Sequence, residues 1–234
     1  MIIWALLIIV PLVFGLYAQM RVSSAYNKNV QIPTRGGVSG RDAAAAVMQS
    51  AGIHDVEIVE VPGQLTDHYD PTRKTLALSE QNYRGTSLAA VGVAAHEAGH
   101  AIQHKVGYTL MTFRQNMVPA VQVAQPIAWG ILTFGIFLAS MLGAKVFGII
   151  MLQIGVAALA VMALFQLVTL PVEFDATRRA KAQLVNLGLV GRDEMEGVND
   201  TLDAAALTYI AGFVATLGNL LYLLLMLAGA RDRD

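Results

Sequence analysis

Residues 91–104 read VGVAAHEAGHAIQH and hold His96, Glu97 and His100 in the spacing H-E-x-x-H. On an α-helix, residues four apart stack one turn above the other, so both imidazoles can reach one ion. Glu97, one residue beyond the first histidine, then stands beside that ion as a proton acceptor. A histidine pair of this kind suits one zinc ion, and a carboxylate next to a zinc-activated water is the equipment of amide hydrolysis. The chain has 5 histidines, so two of them at this spacing around a glutamate form a specific signal. The helix that must carry them is legible as well. Thr86 and Ser87 offer N-cap hydroxyls, and residues 88–95 are alanine-rich and free of proline.

A catalytic zinc takes three protein ligands and keeps one position open. With 0 cysteines in the chain, the third must be a histidine or a carboxylate. Three residues qualify. His104 continues the histidine stripe, but two turns from His96 is about 12 Å along the axis, too far to share an ion without distorting the helix. The longer pattern H-E-x-x-H-x-x-G-x-x-H is absent, because Gln103 and Val106 occupy its last two marked positions. Glu173, in LPVEFDATRRA, is the first acidic residue after the motif and would complete a His₂Glu set. It also suits the first turn of a helix, where the macrodipole favours an acid. Asp175, two residues on, falls on the opposite side of such a helix and reads as a supporting partner or a surface acid.

The elements that must position these groups lie in a chain that is 55% apolar and only 14% charged, with mean hydropathy +0.53. Soluble domains carry about a quarter charged residues, so this composition belongs to a membrane protein. A net charge of −1 gives no reason to expect nucleic acid. Residues 1–20 are uncharged and long enough to span hydrocarbon; without a basic n-region they read as a transmembrane anchor rather than a cleaved signal, with Pro11 kinking the helix. Residues 21–117 form the polar catalytic region. Within it, residues 41–49 predict a short helix closed by Gly52, residues 56–61 a strand ending at Pro62-Gly63, residues 67–71 a turn, and residues 75–79 a second strand. An exposed edge on that second strand would hold an extended peptide.

Residues 118–170 carry a single charge, Lys145, and predict a transmembrane helical hairpin turning at Gly143-Ala144-Lys145. Residues 171–206 predict a polar helical segment broken near Gly188 and Gly191, residues 207–229 a final span, and residues 230–234 a charged tail. The fold expected is therefore a mainly α membrane protein with about four transmembrane helices and a small α+β catalytic region on one face. That face carries 13 of the 16 Lys/Arg. The positive-inside rule places it in the cytoplasm, in a multi-pass protein of the cell (inner) membrane.

Three stretches, LTDHYDP at 65–71, SLAAVGVAAHEAGHAIQH at 87–104 and LPVEFDATRRA at 170–180, resemble the bacterial neutral zinc metallopeptidases of the YugP type. These are membrane gluzincins related in logic to HtpX, and the resemblance covers nearly the whole chain. It implies one zinc ion held by His96, His100 and Glu173, with Glu97 as the base. HtpX-like enzymes show Glu-x-x-x-Asp around the third ligand; Thr177 stands where that aspartate would be, so their supporting acid does not carry over.

The chemistry expected is hydrolysis of a membrane-associated protein or peptide. Oxyanion stabilisation would fall to His68 or Tyr69, or to Arg178 and Arg179. His54 reads as a surface residue. Two other readings stand beside this one. An intramembrane, site-2-like protease would place the motif inside a span, but residues 88–95 are too short to cross a bilayer and the Leu-Asp-Gly partner motif is absent. A non-catalytic scaffold with a structural metal would have no use for Glu97.

Overall fold

The computed structural model describes residues 2–132 and 145–231 of the 234-residue chain. Its elements in order are α1 (Ile2–Asn29), α2 (Gly40–Ser50), β1 (Glu57–Val61), β2 (His68–Asp70), β3 (Thr75–Ser79), α3 (Glu80–Arg84), α4 (Leu88–Lys105), α5 (Thr109–Gly130), α6 (Lys145–Asn186) and α7 (Met195–Arg231). Two compact units share them. One comprises Met1–Tyr17, Phe113–Thr169 and Tyr209–Asp234, the other Ala18–Thr112 and Leu170–Thr208.

In the first unit, Ala124, Ala128, Leu152, Ala158, Leu159 and Leu223 form a buried cluster. Leu6, Ile9, Leu12, Val13, Val123 and Leu164 stay exposed, the pattern of helices whose outer faces expect lipid. A Cβ at Gly218 would lie 2.8 Å from the Leu7 carbonyl oxygen, so this glycine lets α7 approach the α1 backbone. Among the described residues three helices are long and apolar enough to cross a membrane: Leu6–Asn29, Phe147–Asn186 and Met195–Gly229. The fourth expected span falls on α5 and the residues after it, and positions 143–144 of the expected hairpin turn lie outside the described residues. Pro11 and Pro171 sit inside continuous helices.

The second unit is built around α4, of whose 18 residues 14 are buried. Its helix starts where the sequence indicates: the Ser87 hydroxyl accepts the Ala90 N–H at 3.2 Å. Val91, Ala94, Ala95 and Ala98 pack with Leu76 and Leu78 of β3, Val172 and Leu184 of α6, and Val198 and Leu202 of α7. Truncating a fully buried leucine such as Leu184 would cost about 2–5 kcal/mol. Helix α2 closes as expected, with Gly52 taking φ +67° just past its end, and the structure adds an N-cap, Ser39 accepting the Asp42 N–H.

The sheet has the order β1-β3-β2, with β1 parallel and β2 antiparallel to β3. Two expectations are corrected here. Residues 67–71 are not a turn: His68–Asp70 pair with Ala77, Leu76 and Thr75, and the reversal follows at 71–74, where Asp70 Oδ1 accepts the N–H groups of Thr72 and Arg73 at 2.8 and 3.1 Å. A three-residue strand is too short for an alternating pattern to show. Strand β3 has no free edge either, being paired on both sides. The outer strands are β1 and β2.

Candidate metal centre

His96 and His100 project from one face of α4 with ring centroids 4.8 Å apart and planes nearly perpendicular. Glu173, 1% exposed, reaches them from α6. One of its carboxylate oxygens lies 3.1 Å from His96 Nε2 and 3.4 Å from His100 Nε2. A ligand atom from each of the three residues lies within 4.8 Å of the others. This approach depends on Gly99, where a Cβ would stand 2.5 Å from the Ala176 carbonyl oxygen. No side chain fits there unless α4 and α6 separate.

The other ring nitrogens are held as well. His96 Nδ1 lies 3.1 Å from the Thr177 hydroxyl, and His100 Nδ1 lies 3.0 Å from Gln103 Oε1. An amide oxygen only accepts, so His100 Nδ1 carries the proton and Nε2 offers its lone pair to the cluster. At His96 the Thr177 hydroxyl can accept from Nδ1 or donate to it. Gln103 is itself fixed, its amide donating to the Val172 carbonyl at 2.7 Å and to Asp175 Oδ2 at 2.9 Å. With Nδ1 protonated on both rings, two imidazole lone pairs and a carboxylate oxygen facing one another in a buried space repel unless a cation joins them. The nitrogen-and-oxygen donor set suits zinc.

Residues 4–228 match the protein family described as "Putative neutral zinc metallopeptidase". The chain belongs to that family. It is similar to a protein of Bacillus subtilis (strain 168) described as "Putative membrane protease YugP", with 36% identity over 228 residues, 97% of this chain and 98% of that one. No solved structure matches it. Membership supports zinc-dependent peptidase activity, and the three helices long and apolar enough to cross a membrane support a membrane location.

Within this member of the zinc metallopeptidase family, Glu97 follows the first histidine and is buried. Burial pushes its carboxyl up to about 7; nearby His96 opposes that rise, and the negative charge of Glu173 adds to it. His68 is exposed, and its Nδ1 lies 2.8 Å from the Thr66 carbonyl. Tyr69 is not directed at the metal cluster: its hydroxyl lies 2.8 Å from His104 Nδ1, and that pair accounts for both residues. Arg178 and Arg179 both bond to Asp175. His54 is exposed.

Gln103 and Thr177 were visible in the sequence only as departures from longer motifs. Gln103 carried a usable signal in its spacing, three residues after His100, a separation at which helical side chains meet, whereas Thr177 meets His96 from 81 positions away and no local spacing marks it.

Proposed function

We propose that this chain is a membrane-anchored zinc endopeptidase acting on membrane-associated proteins or peptides at the cytoplasmic surface of the cell membrane. The observation that carries the reading is the convergence of His96 Nε2, His100 Nε2 and a Glu173 oxygen, beside the buried carboxyl of Glu97. His96, His100 and Glu173 would hold a zinc ion, which would supply Lewis acidity and lower the pKa of a bound water towards neutrality. Glu97 takes a proton of the water onto a carboxylate oxygen as the water oxygen bonds to the carbonyl carbon, and returns it to the amide nitrogen as the C–N bond breaks. Burial raises the proton affinity of the Glu97 carboxyl, which favours its taking up the proton of the water. The Gln103–Asp175 pair keeps the His100 ring in the ligating tautomer, and the Thr177 hydroxyl can accept from His96 Nδ1 to do the same there. His68 is the candidate donor to the developing oxyanion. With Nδ1–H given to the Thr66 carbonyl, it can donate from Nε2 only as the imidazolium.

The membrane reading comprises four spans, the fourth lying on α5 and the residues that follow. The 13 Lys/Arg of the two polar segments favour a cytoplasmic site. A cysteine placed at exposed Ser50 should be shielded from an impermeant thiol reagent in intact cells; labelling without lysis would reverse the orientation.

The test of the enzyme is elemental analysis of detergent-purified protein together with casein hydrolysis, before and after chelation. Stoichiometric zinc and chelator-sensitive cleavage are expected. Zinc-loaded protein that cleaves no peptide or protein would overturn the peptidase reading.

A further inference from the structure

Asn219 stands one residue past the centre of the expected span at 207–229. Hydrocarbon offers an amide no water to bond, so an unpaired one at that depth is costly. Other polar side chains of the first unit solve this locally. The Thr169 and Thr216 hydroxyls donate to the carbonyls of Phe165 and Gly212, one turn back, at 2.8 and 3.0 Å. Asn219 makes no side-chain hydrogen bond to any described residue. Long polar side chains near the ends of a span reach the interface; a short asparagine at mid-depth does not.

A backbone group is left over beside it. Pro11 lies inside α1 and has no N–H to give the Leu7 carbonyl, four residues back. That carbonyl lies against Gly218 of α7, where a Cβ would stand 2.8 Å from its oxygen and 2.9 Å from Pro11 Cγ. Glycine offers it no side-chain donor, and the next residue is Asn219. Both groups border one cleft of about 380 Å³, whose walls include Leu7, Pro11 and Leu12 of α1, Trp129 of α5, and Asn219 and Tyr222 of α7. Leu12 and Trp129 are 58% and 57% exposed, so the cleft opens sideways toward lipid.

The chemistry of the cleft selects its occupant. Lipid acyl chains carry neither donor nor acceptor, and the ester groups of lipids belong to the interface. A second copy presenting the same recess would set hollow against hollow and hold the two amides apart. One helix, convex and about 10 Å across, fits a groove between helices. An amide or hydroxyl on that helix can accept from Asn219 Nδ2 and donate to the Leu7 carbonyl or to Asn219 Oδ1.

We propose that this cleft docks one transmembrane helix of the protein substrate and selects helices that carry an amide or hydroxyl side chain at mid-bilayer depth. That the helix belongs to a substrate rests on the peptidase reading; that it is a helix with a polar centre rests on Asn219, the Leu7 carbonyl and the shape around them.

The chain has 0 cysteines, so Leu12→Cys puts a single thiol on the cleft wall. The full-length variant is reconstituted in phosphatidylcholine vesicles with leucine–alanine peptides of about 21 residues, long enough to span. Each peptide carries one cysteine near its middle and, one turn away, either Asn or Leu. Oxidative cross-linking is followed as the peptide-to-lipid ratio rises. The Asn peptide should reach half-maximal cross-linking at about 5-fold lower ratio than the Leu peptide. Asn219→Leu should erase that preference, and Pro11→Ala, which returns an N–H to the Leu7 carbonyl, should reduce it about 2-fold. Equal capture of the two peptides, or a preference that survives Asn219→Leu, would overturn the assignment. So would Leu12→Cys pairs between two copies that outcompete the Asn peptide, since the occupant would then be a second copy. If Asn219→Leu does not fold, Ala215→Leu, which fills the cleft from α7, must lower capture of the Asn peptide; unchanged capture sinks the docking site. Activity reads the substrate half. A cleavable domain fused to the Asn helix should show about 5-fold higher kcat/KM than its Leu counterpart. Asn219→Leu should remove that advantage and leave casein hydrolysis within about 2-fold. Casein cleaved without Asn-dependent capture sinks this inference alone. Asn-dependent capture by a protein that cleaves nothing sinks the peptidase reading, and with it the occupant's identity as substrate.

Discussion

His96, His100 and His104 follow one another at four-residue intervals on α4, yet the two ends of that stripe have different surroundings. At the first two, α6 delivers Glu173 between the Nε2 atoms, and both Nδ1 atoms have a side-chain oxygen partner. At the third, the neighbour is the sheet: Tyr69 of β2 meets His104 Nδ1, and the imidazole is exposed. Equal spacing on one helix therefore does not confer equal roles. What separates a proposed ligand from a helix-end histidine here is the element packed opposite, and α6 can come close only where Gly99 faces Ala176.

That contrast can be broken most forcefully at the base. Glu97→Gln removes the proposed proton acceptor and none of the three proposed ligating groups, so it should lower kcat by at least about 10³-fold with zinc content unchanged. Purified Glu97→Gln with wild-type turnover would end the assignment of this carboxylate.

The next effect is on the ion. Glu173→Ala should lose most of its zinc after identical purification, because a two-histidine site holds the ion far more weakly than His₂Glu. Zinc kept in Glu173→Ala but lost in His104→Ala would reverse the comparison and move the third ligand onto α4. Gly99→Ala approaches the same question from packing. Its Cβ must displace α6 at Ala176, so zinc affinity should fall by about 10- to 100-fold, measured by competition with a chromogenic chelator.

Smaller effects sharpen the contrast between the supports. Gln103→Leu removes the acceptor of His100 Nδ1–H and leaves Asp175 without its amide donor, so zinc affinity should drop by about 10-fold or more. Thr177→Val removes one exchangeable hydroxyl contact and should cost less. An order reversed between the two would mean that His96, not His100, depends more on its support.

The smallest change belongs to the far end of the stripe. His104→Ala should leave zinc affinity within about 3-fold and lower stability by about 1 kcal/mol, the net worth of one hydrogen bond to Tyr69. Thermal unfolding with zinc titration checks both numbers in one preparation.

Much of this molecule is written in local residue order. The H-E-x-x-H helix, its Ser87 cap, helix α2 with Ser39 and Gly52, strands β1 and β3, and the long apolar runs all depend on periodicity and caps that a short window contains. Family membership was legible for the same reason, since its motifs are contiguous. The tertiary structure decided what local order does not encode. Strand β2 exists because three residues find β3, and β3 is central because β1 and β2 both pair with it. Thr177 meets His96, and the Gln103 amide is fixed by the Val172 carbonyl, only when α6 is set against α4, which brings residues 69 to 81 positions apart in the chain into hydrogen-bond contact. Spacing along one helix places two imidazoles side by side by geometry alone. Choosing the carboxylate that joins them, and the oxygens that hold their far nitrogens, requires the packing of distant segments.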